Sequence, residues 1–69
     1  MQWETRMLNK LDVIANALGW EIIKYNGWYE LDQQDGSRSF CCENLNDVTL
    51  NLVNIINEYN RKQWVSERV

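Results

Sequence analysis

The chain has 69 residues, a formal net charge of −3 and a hydrophobic fraction of 45%. That length holds one domain, 1–69, whose core alone rarely supplies more than about 3–5 kcal/mol. The acidic balance weighs against a phosphate-backbone partner unless the few bases cluster, two cysteines and no histidine are too few for a structural zinc site, and no apolar run approaches membrane-spanning length.

At the start of the chain, Met1-Gln2-Trp3-Glu4 has neither the basic start nor the apolar run of a secretory leader. A cytoplasmic protein with reduced thiols is therefore expected. Met7, Leu8, Leu11, Ile14, Ala15 and Leu18 then recur at helical spacing and predict a helix over about Glu4–Leu18. Glu4 suits its first turn and Gly19 its C-cap.

The stretch Trp20–Cys42 carries two hairpin signals, Asn26-Gly27 and Asp35-Gly36, between runs of strand-forming residues. Such pairs favour type I′ turns, whose central residues both need positive φ. A two-residue loop at Asn26-Gly27 pairs Tyr25 with Trp28, Ile23 with Glu30 and Ile22 with Leu31. A two-residue loop at Asp35-Gly36 pairs Gln34 with Ser37, Leu31 with Phe40 and Tyr29 with Cys42. Residues directly opposite share a face. One face thus carries Trp20, Ile22, Tyr29, Leu31, Phe40 and Cys42; the other carries Glu21, Ile23, Tyr25, Trp28, Glu30, Asp32, Ser39 and Cys41. The first is the better core face, although a one-residue bulge in the first hairpin would turn the other side of strand 1 inward.

Asn44 with Asp47 three residues on is a variant of the capping box. Leu45, Val48, Leu52, Ile55, Ile56 and Tyr59 give a second helix its inward stripe, from about Leu45 to beyond Arg61. The fold class is α+β, in the order α-β-β-β-α: a three-stranded antiparallel meander with two helices packed on one face.

That order and the chain length resemble the double-stranded-RNA-binding domain family. The family's second helix begins with a lysine-rich motif that grips phosphates, whereas Asn44-Leu45-Asn46-Asp47 stands here, and the family's first hairpin loop is longer than Asn26-Gly27. The resemblance implies topology alone, and no residue or activity is carried over.

Two surfaces remain after the core is assigned. On the outer sheet face Tyr25 and Trp28 sit side by side, with Ile23 and Cys41 near and Glu21, Glu30 and Asp32 around them. An aromatic patch with an acidic rim is the composition of a protein-binding surface, although cross-strand aromatic pairs also stabilise exposed hairpins. Ile23, Tyr25, Trp28, Glu30 and Asp32 are the candidate partner-binding residues. On the back of the second helix, Leu50, Val53 and Trp64 form a ridge opposite the core stripe, by the 100° turn per residue. They are the candidate self-association residues; Trp3 and Trp64 have the alternative of folding over the core edge as plugs.

The three carboxylates Glu21, Glu30 and Asp32 lack the loop spacing of a calcium site and read as solvated charges. They lack the cleft, nucleophile or neighbours that acid–base work needs. No metal, cofactor or catalytic residue is assigned, and an enzyme is not expected. Cys42 reads as a small buried hydrophobe and Cys41 as an accessible thiol dulled by acidic neighbours. The expected function is a small protein-interaction module, self-associating as a homodimer, with a protein partner of unknown identity and no membrane. The alternatives are a nucleic-acid-binding domain using Arg61, Lys62 and Arg68, and a small acidic inhibitor, of the kind phages encode, that covers a host protein's surface.

Overall fold

The computed structural model describes the backbone of residues 3–68 and the side chains of residues 3–62. The elements follow as α1 (Trp3–Ala17), β1 (Trp20–Tyr25), β2 (Trp28–Gln33), β3 (Ser39–Cys42) and α2 (Leu45–Arg68). The three strands form one antiparallel sheet in the order β1-β2-β3. Both helices contribute to the core against one of its faces, which is the expected α+β arrangement.

α1 stops where its sequence says it should. Gly19 takes φ 86°, and the N–H groups of Leu18 and Gly19 donate back to Ala15 and Asn16 carbonyls at 3.0 and 3.1 Å. This closes carbonyls that the helix end leaves open. α2 starts on the expected cap. The Asn44 side-chain oxygen accepts from the Asp47 N–H at 3.0 Å, and the Asp47 carboxylate accepts from the Glu43 N–H at 3.1 Å. The return bond reaches one residue further out than in the usual box, to the position before the cap.

The register is the expected one. Tyr25 faces Trp28, Ile23 faces Glu30, Ile22 faces Leu31, Leu31 faces Phe40 and Tyr29 faces Cys42. The first hairpin therefore carries no bulge, and Trp20, Tyr29, Leu31 and Cys42 are buried with Leu11, Ala15, Leu45, Val48, Leu52 and Ile55. Leu8, Leu18, Ile22 and Phe40 pack on the rim of that core.

Both turns differ from expectation in kind. Among the described residues every one with positive φ is a glycine, so in the first turn Asn26 is not left-handed and only Gly27 is, with φ 92°. Positive φ at the second central position only is the pattern of a type II turn. The second loop is longer than two residues. Gln33 N–H donates to the Arg38 carbonyl at 2.9 Å, while Gln34 N–H turns away to the Gly19 carbonyl at 2.9 Å, so Gln34 does not pair with Ser37. Asp35 holds the loop by accepting from the N–H and hydroxyl of Ser37 at 2.9 and 2.7 Å, an Asx turn.

Three residues expected in the helix stripes are exposed: Met7 and Ile14 on α1 and Tyr59 on α2. A three-stranded sheet is only about 10 Å across between its outer strands. Two helices side by side at their normal spacing of about 8–10 Å overhang it, so the flank of each stripe away from its neighbour stays in solvent. No helix among the described residues is long and apolar enough to cross a membrane.

Candidate functional site

The uncovered face of the sheet is built by simple alternation. Side chains two apart on a strand share a face, so Ile23 and Tyr25 of β1, Trp28, Glu30 and Asp32 of β2, and Ser39 and Cys41 of β3 all point away from the helices. The five expected partner-binding residues, Ile23, Tyr25, Trp28, Glu30 and Asp32, are thereby brought together.

Tyr25 and Trp28 are the last pair before the first turn, and their rings stack at 4.3 Å between centroids with 13° between planes. Their relative exposures are 39% and 37%, so the stack forms a flat apolar slab open to water on its outer side. The Tyr25 hydroxyl donates to Glu30 Oε1 at 3.0 Å. This bond to a carboxylate, with burial and the nearby charges of Glu30 and Asp32 adding to it, holds the Tyr25 phenol above its ordinary pKa. Ser39 Oγ donates to Asp32 Oδ1 at 2.7 Å and is 3.4 Å from Glu30 Oε2. Glu30 and Asp32 are thus oriented by neutral hydroxyls, and no lysine or arginine bonds either of them among the described residues. Glu21 stands directly opposite Asp32. No group of three or more metal-ligating side chains among the described residues is placed to hold an ion.

Trp28 also borders a shallow hollow of about 170 Å³ at the hairpin end of the molecule, shared with Glu4, Lys24, Tyr29 and Glu43. Tyr29, from the inner face, reaches this end and donates its hydroxyl to Glu4 Oε2 at 2.9 Å. Burial first, then that bond, raises the Tyr29 pKa.

Of the expected self-association residues, Leu50 and Val53 are exposed on α2, at 63% and 46%. The side chain of Trp64 lies outside the described residues. Trp3 is exposed rather than folded over the core edge as a plug. Cys42 is buried and Cys41 exposed, as read from their faces. Burial pushes the Cys42 thiol up, against the lowering effect of Asn51, whose amide donates to its sulfur at 3.5 Å.

One arrangement went unread in the sequence. Arg38 lies with its guanidinium carbon 5.2 Å from the centre of the Trp20 ring, and the same guanidinium forks onto Glu58 at 3.0 and 3.3 Å. Phe40 stacks against Trp20 at 5.5 Å. The fork holds the Glu58 carboxyl below its ordinary pKa. Arg38 stands after the second loop and Glu58 four turns along α2, so only the packed fold brings them together. The sole sequence hint is an unpaired base beside a strand that carries Phe40.

Comparison with protein-family models, curated proteins and solved structures finds no match to this chain.

Proposed function

We propose that the protein is a non-enzymatic, cytoplasmic protein-interaction module that presents its open sheet face to a partner protein and associates with itself through the outward ridge of α2. The observation that carries the reading is the stacked, exposed Tyr25–Trp28 pair on a sheet face with no element over it. Large aromatics supply the contact area that dominates binding energies, and a polar rim keeps water and wrong partners out. Ile23 extends the apolar centre; Glu30 and Asp32 form the rim. The ridge reading draws its support from Leu50 and Val53, which are apolar and exposed on the side of α2 away from the core. A domain this small gains from association what its own core does not supply.

The test uses immobilised wild-type protein and the Trp28→Ala variant, each exposed to an extract of the cells that make the protein. A protein retained by the wild type and lost by the variant is then purified and its affinity for both measured. The expected result is binding at least about tenfold weaker for Trp28→Ala, a difference of about 1.4 kcal/mol. Equal binding by the two removes the sheet face from the function. Arg61 and Lys62 are adjacent and exposed, and they support nucleic-acid binding as the second reading. Phosphate contacts weaken steeply with salt, so retention that survives about 0.5 M salt argues against that reading, since screening is then within a few ångströms.

A further inference from the structure

Resting on the reading of the open sheet face as a docking surface, we propose that its occupant is an arginine-bearing segment, with the guanidinium stacked on the Tyr25–Trp28 slab and forked onto Glu30 and Asp32. The charge on this face is one-sided. Glu21, Glu30 and Asp32 lie on it, and the other residues there are Ile23, Tyr25, Trp28, Ser39 and Cys41, none of them basic. Glu21 and Asp32 face each other across β1 and β2, and like charges directly opposite destabilise a sheet. The hydroxyls of Tyr25 and Ser39 orient Glu30 and Asp32 but neutralise neither. An ionised carboxylate has about four acceptor sites, so both retain capacity on their solvent sides. A cation placed over this face relieves the repulsion and meets acceptors that are already aimed.

The slab selects among cations. Its rings are nearly parallel, one over the other at 13° and 4.3 Å, which leaves the outer faces of the stack for a further flat group, and the Tyr25 hydroxyl ties the stack to Glu30. A guanidinium is flat, weakly hydrated and forked, and it stacks on rings while bonding a carboxylate edge-on; an ammonium is a compact, strongly hydrated point. The molecule already performs this chemistry within itself, where Arg38 stacks on Trp20 and forks onto Glu58. Tyr25–Trp28 with Glu30 repeats the aromatic and carboxylate halves of that arrangement on the opposite side of the sheet, without the arginine.

The experiment titrates ¹⁵N-labelled full-length protein with four peptides that differ at two positions: acetyl-Gly-Arg-Gly-Arg-Gly-amide and its glutamine, glutamate and lysine counterparts. The arginine peptide should shift the amides of Ile23, Tyr25, Glu30 and Cys41 and the Trp28 indole, with a Kd on the order of 1 mM, as suits so short a ligand. The glutamate peptide should shift none of them. A Glu30→Gln/Asp32→Asn double variant, whose unchanged spectral dispersion reports an intact fold, should bind the arginine peptide about tenfold more weakly, and a lysine counterpart should bind the wild type several-fold more weakly. Three results overturn the proposal: no shifts up to about 20 mM arginine peptide, equal binding by the double variant, or shifts centred away from the face. Binding of the glutamine peptide as tight as the arginine peptide also overturns it, while leaving the face a docking surface. Shifts of the same residues with protein concentration alone identify a second copy as the occupant and remove the arginine. Failure of the broader interaction reading is seen separately, in the behaviour of Trp28→Ala toward the captured partner.

Discussion

The two faces of the sheet are made by the same three strands and both carry stacked aromatics, yet they have opposite fates. On the inner face Trp20 stacks on Phe40, and Trp20, Leu31 and Cys42 are almost fully buried under α1 and α2. On the outer face Tyr25 stacks on Trp28 and both remain exposed. A stacked aromatic pair does not separate the faces; the carboxylates of the outer face, the two-residue period of the strand and the side chosen by the helices do. α2 repeats the division within one helix. Val48, Leu52 and Ile55 are buried, while Leu50 and Val53, roughly half a turn away around the axis, are exposed. The covered sides account for the fold, and the uncovered sides are where a function has to be sought.

The largest test of this division is Leu31→Ala. Leu31 is fully buried at the centre of the inner face, and such a truncation costs about 2–5 kcal/mol. That rivals the whole core contribution of a domain this size, about 3–5 kcal/mol, so thermal unfolding should shift sharply or lose its cooperative transition. Ile23→Ala, one strand over on the half-buried outer side, should cost only about 1 kcal/mol. Equal losses from the two substitutions would mean that the faces do not differ energetically.

How much of this division is legible in the chain depends on the range of the interactions that set it. The register is local. Asn26-Gly27 fixes which residues face each other across β1 and β2, and the pairing of Leu31 with Phe40 survives even though the second loop spans residues 34–37. A four-residue loop and a two-residue loop centred on the same point give the same pairs, which is why the error in loop length did not propagate. Turn type is less legible, because Asn tolerates both signs of φ and the flanking strands decide. The exposed Met7, Ile14 and Tyr59 needed the width of the sheet, which no helical periodicity encodes. On the open face the cluster itself was readable from alternation, but the bonds from Tyr25 to Glu30 and from Ser39 to Asp32 depend on rotamers. The contacts from Arg38 to Glu58 and from Tyr29 to Glu4 join residues 20 and 25 positions apart and exist only once helices and sheet are packed.

The next test compares the two sides of α2. Val53→Glu places a charge on the exposed ridge and should leave the unfolding midpoint of dilute, monomeric protein nearly unchanged, since exposed substitutions usually fall within about 0.5 kcal/mol. In a symmetric dimer through this ridge each copy would bring that charge to the interface, so sedimentation equilibrium should show a wild-type dimer and a Val53→Glu monomer. Wild-type protein that remains monomeric at about 100 μM, high enough to populate weak dimers, would remove the self-association and leave Leu50 and Val53 as ordinary surface. Trp28→Ala should have a larger effect on folding than Val53→Glu, about 0.5–1.5 kcal/mol for the lost stack beyond its buried area. It should leave the dimer intact, because the sheet face and the ridge are separate surfaces; a change of oligomeric state in Trp28→Ala would show instead that the two are one.

The finest distinction between the faces lies in two tyrosines four residues apart. Both phenols are held above their ordinary pKa of 10.0, but Tyr29 chiefly by burial and Tyr25 chiefly by its bond to Glu30. A raised folded-state pKa means that folding favours the protonated form. The stability these groups contribute is therefore fully present below pH 10 and is lost as pH rises through the raised values. The unfolding midpoint should hold steady to about pH 10 and then fall, since above it the unfolded chain releases protons that the folded chain retains. Glu30→Gln separates the causes. It removes the charge beside Tyr25 while keeping an acceptor, so Tyr25 should titrate closer to its ordinary value, whereas Tyr29, on the other side of the sheet, should not move. Tyrosine ¹³Cζ shifts followed between pH 8 and 13 resolve the two rings, as that window brackets an ordinary phenol near pH 10. An unmoved Tyr25 would mean that burial, not the carboxylate, governs the outer face as well, and a Tyr29 that moves with it would mean that the two sides of the sheet are electrostatically one.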